Sequence, residues 1–259
     1  MSTPYTLVTG ASTGIGFELV KLLAEDKKNL ILLARGKERL EKIASDLKKQ
    51  FSISVQIFPV DLSLPESPQK IYRFVKENGW KIDTLINNAG YGSSGAFDKS
   101  PLTEELGMIQ VNITALVELT HLFMEDLILS GNGKILNVAS TASFQPGPYM
   151  SIYYATKAFV LHFSEGISEE LKDRGVTVST LCPGPTLTEF QKRANTSESN
   201  LFKGPLVMDA ATVARIGYRG MKKGKVIVIA GFWNALLTGS VRITPRFIIR
   251  KITGFLNRG

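Results

Sequence analysis

Short apolar runs alternate with longer stretches of helical periodicity along the whole chain. The apolar runs predict seven strands, at residues 5–9, 29–34, 53–59, 83–86, 133–138, 176–181 and 225–230. Apolar positions that recur every three or four residues predict helices at 17–24, 37–49, 65–77, 101–129, 151–173 and 209–222, the fourth interrupted near Asn112. The alternation predicts an α/β fold, with a doubly wound, seven-stranded parallel sheet and helices on both faces.

Polar or glycine-rich segments follow four of the predicted strands. They are residues 10–16, residues 87–90, the segment that starts at Ser140, and the pair Pro183 and Gly184. Because the carboxyl ends of parallel strands meet at one edge of a sheet, these segments should lie close together. That edge is where open α/β sheets bind their ligands.

The first of these segments is a glycine-rich turn between a strand and a helix. Gly10, Gly14 and Gly16 would let the backbone approach a pyrophosphate, and the N-terminus of the following helix offers unpaired N–H groups to its charge. The spacing differs from the tighter GxGxxG pattern. Its position after the first strand nevertheless favours a dinucleotide site over a plain turn.

The end of the second predicted strand indicates which dinucleotide. An NAD site is expected to have a carboxylate there, which bonds the ribose 2′-hydroxyl. Here the strand ends at Ala34 and is followed by Arg35, whose guanidinium would bind a 2′-phosphate. We therefore predict NADP(H), although Arg35 could also be a solvated residue that starts the next helix.

A tyrosine and a lysine stand four residues apart at the start of the predicted helix 151–173. Side chains at this spacing share one helix face, and a nearby cation favours a phenolate. Tyr153 beside Lys157 would therefore be able to pass a proton near neutral pH. Taken alone, the spacing also fits a packed ring beside a surface lysine.

The composition is that of a globular protein, with 259 residues of which 44% are hydrophobic and 21% charged. The single cysteine, Cys182, excludes an intrachain disulfide and indicates a reducing compartment, so we expect a cytoplasmic protein without a signal peptide. No apolar run reaches the roughly 18 residues of a membrane-spanning helix. The histidines, His121 and His162, have no cysteine or acid cluster at ligand spacing, and no metal site is predicted.

Taken together, four motifs resemble those of the short-chain dehydrogenase/reductase (SDR) family. Residues 9–16 are similar to its TGxxxGxG turn, residues 87–90 to its NNAG motif, and Pro183, Gly184 and Thr188 to its PGxxxT segment. Asn112, Ser140, Tyr153 and Lys157 match its Asn-Ser-Tyr-Lys tetrad in order and spacing. The resemblance covers residues 5 to about 230 and implies a Rossmann-like fold.

The resemblance implies a catalytic role for each member of the tetrad. In reduction, Tyr153 would give its proton to the substrate carbonyl oxygen, and Ser140 would hydrogen-bond the same oxygen. Lys157 would lower the pKa of Tyr153 and hold the nicotinamide ribose. Asn112 would hold a water that resupplies protons through Lys157.

The resemblance also implies the cofactor contacts. Asp61 would contact adenine, Asn87 and Gly90 the adenosine side, and Thr188 the carboxamide. The full set of implied cofactor-binding residues is Gly10, Ser12, Thr13, Gly14, Ile15, Gly16, Arg35, Asp61, Asn87, Ala89, Gly90, Tyr153, Lys157, Pro183, Gly184 and Thr188. Many NADP-binding members carry a basic residue just before the second glycine. Thr13 stands there in this chain, so the prediction of NADP(H) rests mainly on Arg35.

The basic charge of the chain lies at its C-terminal end. The net charge is +8, yet residues 210–259 hold ten Lys or Arg and no acidic residue, while residues 1–209 hold the other 21 basic and all 23 acidic residues. Beyond the predicted last strand, we expect a helix with Thr244 as its N-cap and Pro245 as its first residue. Residues 246–258 place their apolar side chains on one face of this helix. Such a helix can lie on an anionic membrane surface, or it can pack over the substrate cleft or against another subunit.

The sequence predicts a domain of residues 1–231, followed by a basic amphipathic extension of residues 232–259. Within the domain, the resemblance implies a mobile substrate lid at 185–206, and the polar composition of that segment is consistent with a lid. The predicted function is an NADP(H)-dependent oxidoreductase that interconverts a ketone or aldehyde and an alcohol on a lipophilic, fatty-acyl or sterol-like substrate. The alternative is a non-catalytic NADP-binding sensor or scaffold on a membrane surface. The resemblance implies a homodimer or homotetramer formed through helices 101–129 and 151–173. We also expect peripheral membrane association through 232–259 and no nucleic-acid partner.

Overall fold

The computed structural model describes residues 3–189 and 207–258. The strands in these ranges are Tyr5–Thr9 (β1), Asn29–Ala34 (β2), Val55–Pro59 (β3), Ile82–Asn87 (β4), Gly133–Val138 (β5), Val176–Cys182 (β6), Thr186–Leu187 (β7), Met208–Asp209 (β8) and Ile227–Ile229 (β9). The α-helices are Gly14–Glu25 (α1), Lys37–Phe51 (α2), Ser67–Glu77 (α3), Leu102–Ile109 (α4), Ala115–Leu122 (α5), Met124–Leu129 (α6), Ser151–Leu171 (α7), Ala210–Lys222 (α8), Phe232–Ser240 (α9) and Arg246–Asn257 (α10).

Within the described residues, seven of these strands form one parallel sheet in the order β3-β2-β1-β4-β5-β6-β9. The chain winds outwards from β1 in one direction and then from β4 in the other, so connections leave the sheet on opposite sides at this point. A crevice opens beside such a switch point, at the carboxyl ends of the strands. The predicted doubly wound, seven-stranded sheet is confirmed. The short β7 and β8 pair separately.

The side chains of β1 show why helices are needed on both faces. The strand is buried over its whole length, and successive side chains point to opposite sides of the sheet. Val8 joins the core beneath α1, α2 and α8, whereas Leu7 joins the core beneath α3 and α5. Each apolar side chain buried in this way contributes roughly 2 kcal/mol of hydrophobic stabilisation.

The predicted helix 101–129 is not continuous. It consists of α4, a π-helical turn at Gln110–Thr114, α5 and α6. The π turn contains Asn112, as the interruption in the sequence pattern indicated, and such turns often occur at functional sites. Asp209 is the N-cap of α8, since its side chain accepts a 2.8 Å hydrogen bond from the backbone N–H of Thr212.

The extension forms two helices, α9 and α10. The second begins at Arg246 with Pro245 as its N-cap, one residue later than expected. On α9 the side chain of Asn234 packs against the backbone of Gly184, where an added Cβ would lie 2.3 Å from the Asn234 Nδ2. Within residues 3–189 and 207–258, no helix is long and apolar enough to cross a membrane.

Candidate active site

The glycine turn between β1 and α1 is shaped by backbone contacts. Gly10 and Gly14 adopt φ values of +64° and +55°, a region that favours glycine. Gly16 faces the turn and not the cleft, and a Cβ there would lie 2.2 Å from the Gly10 carbonyl oxygen. Gly16 therefore packs within the turn, and its predicted contact with a cofactor stays a prediction.

Asn88 holds this turn against the end of β4. Its Nδ2 donates to the carbonyl oxygens of Thr9 and Gly10, at 3.0 and 3.1 Å. The backbone N–H groups of Asn88 and Ala89 in turn donate to Thr9 Oγ1, both at 2.9 Å. These bonds join the segments 10–16 and 87–90 that the sequence predicted to lie close together. Asn88 was not among the predicted site residues, because only Asn87 of the two adjacent asparagines was assigned a cofactor contact.

Asn87 does not reach the cleft. Its side chain is buried in the core, where Nδ2 donates to Thr120 Oγ1 at 3.1 Å and to Asn137 Oδ1 at 2.9 Å. Successive residues of a strand point to opposite faces, so Asn87 and Asn88 cannot both face the ligand edge in the same way. The side chain of Asn87 therefore points away from the cleft, and the predicted contact of this residue with the adenosine side of the cofactor stays a prediction.

A cleft of about 870 Å³ opens at the carboxyl ends of the strands. The predicted site residues that line it are Gly10, Ser12, Thr13, Gly14, Ile15, Arg35, Asp61, Ala89, Gly90, Ser140, Tyr153, Lys157, Pro183, Gly184 and Thr188. The structure thus brings together residues spread over most of the chain. Of the predicted lid, residues 190–206 lie outside the described ranges, whereas Thr188 packs against the glycine turn, 3.1 Å from where a Cβ of Gly14 would be.

Arg35 and Asp61 stand at the end of the cleft formed by β2 and β3. Asp61 Oδ1 accepts hydrogen bonds from the backbone N–H and the hydroxyl of Ser63, at 2.9 and 2.8 Å. Burial alone would raise the pKa of Asp61, but these bonds and the Arg35 guanidinium lower it below its usual value. Arg35 is exposed, and Arg39 nearby pairs with Glu189 at 3.2 Å.

The first two turns of α7 place Tyr153 and Lys157 one above the other. The hydroxyl of Tyr153 is hydrogen-bonded to the side chain of Ser140, which follows β5. Burial raises the pKa of Tyr153 to about 12, and the bond to Ser140 offsets this only in part. The phenol is thus protonated at neutral pH.

The expected lowering of the tyrosine pKa by its lysine neighbour is not found. The Lys157 Nζ lies 5.9 Å from the centre of the Tyr153 ring and donates to the Val138 carbonyl oxygen at 2.8 Å. Burial lowers the pKa of Lys157 itself to about 8. The positive charge of Lys157 is therefore destabilising in this position. Its ammonium group bonds a backbone oxygen and not the phenol.

Asn112 lies behind the cleft wall and not in it. Its Oδ1 accepts from the backbone N–H of Tyr91 at 3.1 Å, and its Nδ2 donates to the Tyr91 carbonyl at 2.9 Å and to Thr156 Oγ1 at 3.0 Å. Gly90 fits between Asn112 and Lys157, since a Cβ there would lie 3.1 Å from Asn112 Oδ1 and 3.2 Å from Lys157 Nζ. Asn112 therefore fixes the backbone beside Lys157, and the predicted water relay stays a prediction.

The C-terminal helices form one wall of the same cleft. Leu237 and Val241 line it from α9 and the turn after it, and Ile249, Ile252 and Leu256 line it from α10. The alternative in which the extension packs over the cleft is thus the arrangement observed. The helical periodicity of 246–258 indicated an apolar face, but no signal in the sequence identified the surface that this face covers.

The match to known proteins agrees with this geometry. Residues 4–199 match the model of the short chain dehydrogenase family. The chain belongs to this family. As a short-chain dehydrogenase it is an oxidoreductase that acts on CH–OH or C=O groups.

Curated relatives of this short-chain dehydrogenase include two with lipophilic substrates in their names. The very-long-chain 3-oxoacyl-CoA reductase of Mus musculus is 30% identical over 252 residues, which cover 96% of this chain and 78% of that protein. The 17-beta-hydroxysteroid dehydrogenase type 3 of Homo sapiens is 32% identical over 218 residues, covering 82% and 69%.

Solved structures of the family are also similar. The short-chain dehydrogenase from Sphingobium yanoikuyae in complex with NADPH is 32% identical, with a TM-score of 0.82 over 93% of this chain and 94% of that one. The bulky-bulky ketone specific alcohol dehydrogenase from Comamonas testosteroni is 29% identical, with a TM-score of 0.78 over 94% of each chain.

Proposed function

We propose that this short-chain dehydrogenase is an NADP(H)-dependent reductase of lipophilic ketones, with Tyr153 as the proton donor. The observation that carries the proposal is a pair of hydrogen-bonded hydroxyls, Tyr153 and Ser140, in a cleft that also has an apolar wall. Two donors on one side and apolar side chains on the other suit a carbonyl attached to a hydrocarbon body.

A dinucleotide fits the residues present. The glycine turn packs closely against its neighbours, since a Cβ at Gly10 would lie 2.7 Å from Asn88 Nδ2, and Gly10 and Gly14 line the cleft. The N-terminus of α1 lies at the same place, because the helix begins at Gly14. Ser12, Thr13 and Ile15 would hold the pyrophosphate with the glycines, and Arg35 would bind a 2′-phosphate. The NADPH bound to the related enzyme from Sphingobium yanoikuyae supports the choice of cofactor.

The proton chemistry follows from the state of Tyr153. With a pKa of about 12 its hydroxyl carries a proton at any physiological pH, which suits reduction, where a proton must be delivered to the carbonyl oxygen. Ser140 supplies the second hydrogen bond to the negative charge that develops there. The bound nicotinamide supplies the hydride.

Lys157 would hold the cofactor in this scheme. An ammonium group has three donors, and the Val138 carbonyl takes one of them, which leaves two N–H groups for ribose hydroxyls. Asn112 would not contact the cofactor. It would act by fixing the backbone of Gly90 and Tyr91 beside the Lys157 ammonium group. A sensor or scaffold would not need the hydroxyl pair of Tyr153 and Ser140, so the alternative is less well supported.

The outer face of α9 and α10 supports peripheral membrane association. We name the outer surface of α9, α10 and the turn between them the docking face. It is defined by six exposed large apolar residues that do not line the cleft, Phe232, Trp233, Leu236, Ile243, Phe247 and Phe255. Five exposed basic residues accompany it, namely Arg242, Arg246, Arg250, Lys251 and Arg258, and residues 232–259 contain no acid. Apolar side chains interleaved with cations suit an anionic lipid surface.

The proposed function is tested by NADPH oxidation with a series of 2-alkanones of increasing chain length, in parallel with NADH. We expect kcat/KM to rise with chain length and to be larger with NADPH. Arg35→Ala should weaken NADPH binding about tenfold and leave NADH binding nearly unchanged, because a charge-assisted bond to the 2′-phosphate is lost. Arg73→Ala, which changes an exposed residue of α3, is the control. Equal use of both cofactors by the wild type would refute the NADP(H) preference.

A further inference from the structure

The segment that leads into the catalytic helix depends on contacts from outside itself. Residues 145–150, between the 3₁₀ turn Thr141–Phe144 and α7, contain no helix or strand. Within them Tyr149 adopts a φ of +66°, which is unfavourable for a residue other than glycine. A strained conformation persists only where the surrounding structure holds it.

The last turn of α10 supplies that support through one side chain. Asn257 is 2% exposed, its Nδ2 donates to the Pro148 carbonyl oxygen at 2.9 Å, and its Oδ1 accepts from the Tyr154 hydroxyl at 3.2 Å. The Tyr154 ring also covers Gly147, where an added Cβ would lie 2.2 Å from the ring. Asn257 thus ties the incoming segment to the first turn of α7.

Two further residues of the same end reinforce the contact. Thr253 Oγ1 lies 2.9 Å from the Pro146 carbonyl oxygen, and Arg258 Nε donates to the Tyr149 hydroxyl at 2.7 Å. The Arg258 guanidinium also lies 5.0 Å from the centre of the Tyr149 ring, at a cation–π distance. The C-terminal end of α10 and Arg258 therefore contact Pro146, Pro148 and Tyr149 of the strained segment.

We propose that Asn257 is a positioning residue for the reaction, acting on Tyr153 through Tyr154. Tyr153 and Tyr154 are adjacent on the first turn of α7, with their rings edge to face at 6.0 Å. Ser140 belongs to a different element, so a shift of this turn changes the distance between the two catalytic hydroxyls. The inference rests on the proposed role of Tyr153 and adds a residue more than 100 positions away in the chain.

The test uses the full chain and separates turnover from cofactor binding. Asn257→Leu removes both bonds and keeps the number and branching of the side-chain heavy atoms, and we expect kcat for ketone reduction to fall between about 10- and 100-fold. The Kd for NADPH should change less than about twofold, since the glycine turn lies on another wall of the cleft.

Tyr154→Phe removes one of the two Asn257 hydrogen bonds, the one to the Tyr154 hydroxyl, and should lower kcat by a smaller factor. The double variant should be no slower than Asn257→Leu alone, because the two side chains act as one unit.

Asp126→Asn is the matched control. Asp126 is 4% exposed and pairs with Lys76 at the amino-terminal end of the sheet, so its loss should lower stability without lowering kcat. Wild-type kcat in a folded Asn257→Leu variant overturns the inference. If that variant does not fold, wild-type kcat in Tyr154→Phe overturns it instead. A wild-type protein without NADPH-dependent turnover refutes the proposed function itself, which is a different result.

Discussion

At the scale of single residues, the site combines a buried lysine whose positive charge destabilises the fold with a tyrosine that stays protonated at neutral pH. Lys157 is 5% exposed, and its pKa is lowered to about 8 from an ordinary 10.5 by burial. The pKa of Tyr153 is raised instead, because burial disfavours the charged form of either group, which is the protonated lysine but the deprotonated tyrosine. Natural selection commonly keeps such groups where function needs them and stability does not.

Lys157→Met should therefore stabilise the protein at neutral pH while it impairs turnover. The lowered pKa means that the charged lysine destabilises the fold by about 3 kcal/mol. The substitution removes this destabilisation, but it also removes the hydrogen bond to Val138, which offsets about half of the gain. The folded-state pKa lies below the unfolded one, so the cost is complete below pH 8 and disappears as the pH rises towards 10.5. Urea denaturation at pH 7 and pH 10.5 measures the difference.

The exposed Lys172, at the other end of α7, provides the control. Lys172→Met should change the free energy of unfolding by less than about 0.5 kcal/mol at either pH, because surface charges contribute little. A Lys157→Met variant less stable than the wild type at pH 7 would show that the buried ammonium stabilises the fold.

At the scale of elements, the sequence predicted most of what positions the site. The alternation of strands and helices determines the sheet, and the carboxyl ends of its strands gather the glycine turn, Ser140 and the Pro183–Gly184 pair without further information. The sequence did not show which of Asn87 and Asn88 faces the turn, because the strand could end at either residue. The pairing of Asn257 with Tyr154 spans 103 residues and leaves no periodic signal.

Two glycines in helices should respond in opposite ways to alanine. Gly16→Ala places a Cβ 2.2 Å from the Gly10 carbonyl oxygen and 2.3 Å from Asn88 Nδ2, so we expect a loss of roughly 3 kcal/mol and weaker NADPH binding. Gly166→Ala, inside α7 with no atom within 4 Å of the new Cβ, should stabilise the protein by about 0.5–1 kcal/mol. Thermal denaturation compares the two, and a stable Gly16→Ala variant would contradict the packed turn.

At the scale of the whole molecule, the C-terminal extension has two faces with different neighbours. Its inner face walls the cleft and holds the entrance to α7, whereas the docking face is turned to solvent. A chain that ends before α9 would therefore lose part of its active site. Membrane association has to be tested by substitutions on the docking face alone.

Flotation with vesicles tests the docking face. The wild-type protein should float with vesicles of phosphatidylserine and phosphatidylcholine, less so as salt rises, and little with phosphatidylcholine alone. The Trp233→Glu, Phe255→Glu double variant should stay unbound. Leu129→Glu, which changes an exposed leucine at the end of α6, should float like the wild type. A wild-type protein that stays unbound with anionic vesicles, or a double variant that floats, would rule out this surface.

The most direct test of the proposed chemistry is the single-turnover rate of NADPH oxidation by Tyr153→Phe in the presence of a long-chain 2-alkanone. We expect the rate to fall at least about 100-fold relative to the wild type, because the phenol proton is lost, while the Kd for NADPH stays within about twofold. Tyr72→Phe, on the remote α3, should match the wild type in both. A Tyr153→Phe enzyme that reduces the ketone at the wild-type rate would contradict the assignment of Tyr153 as proton donor.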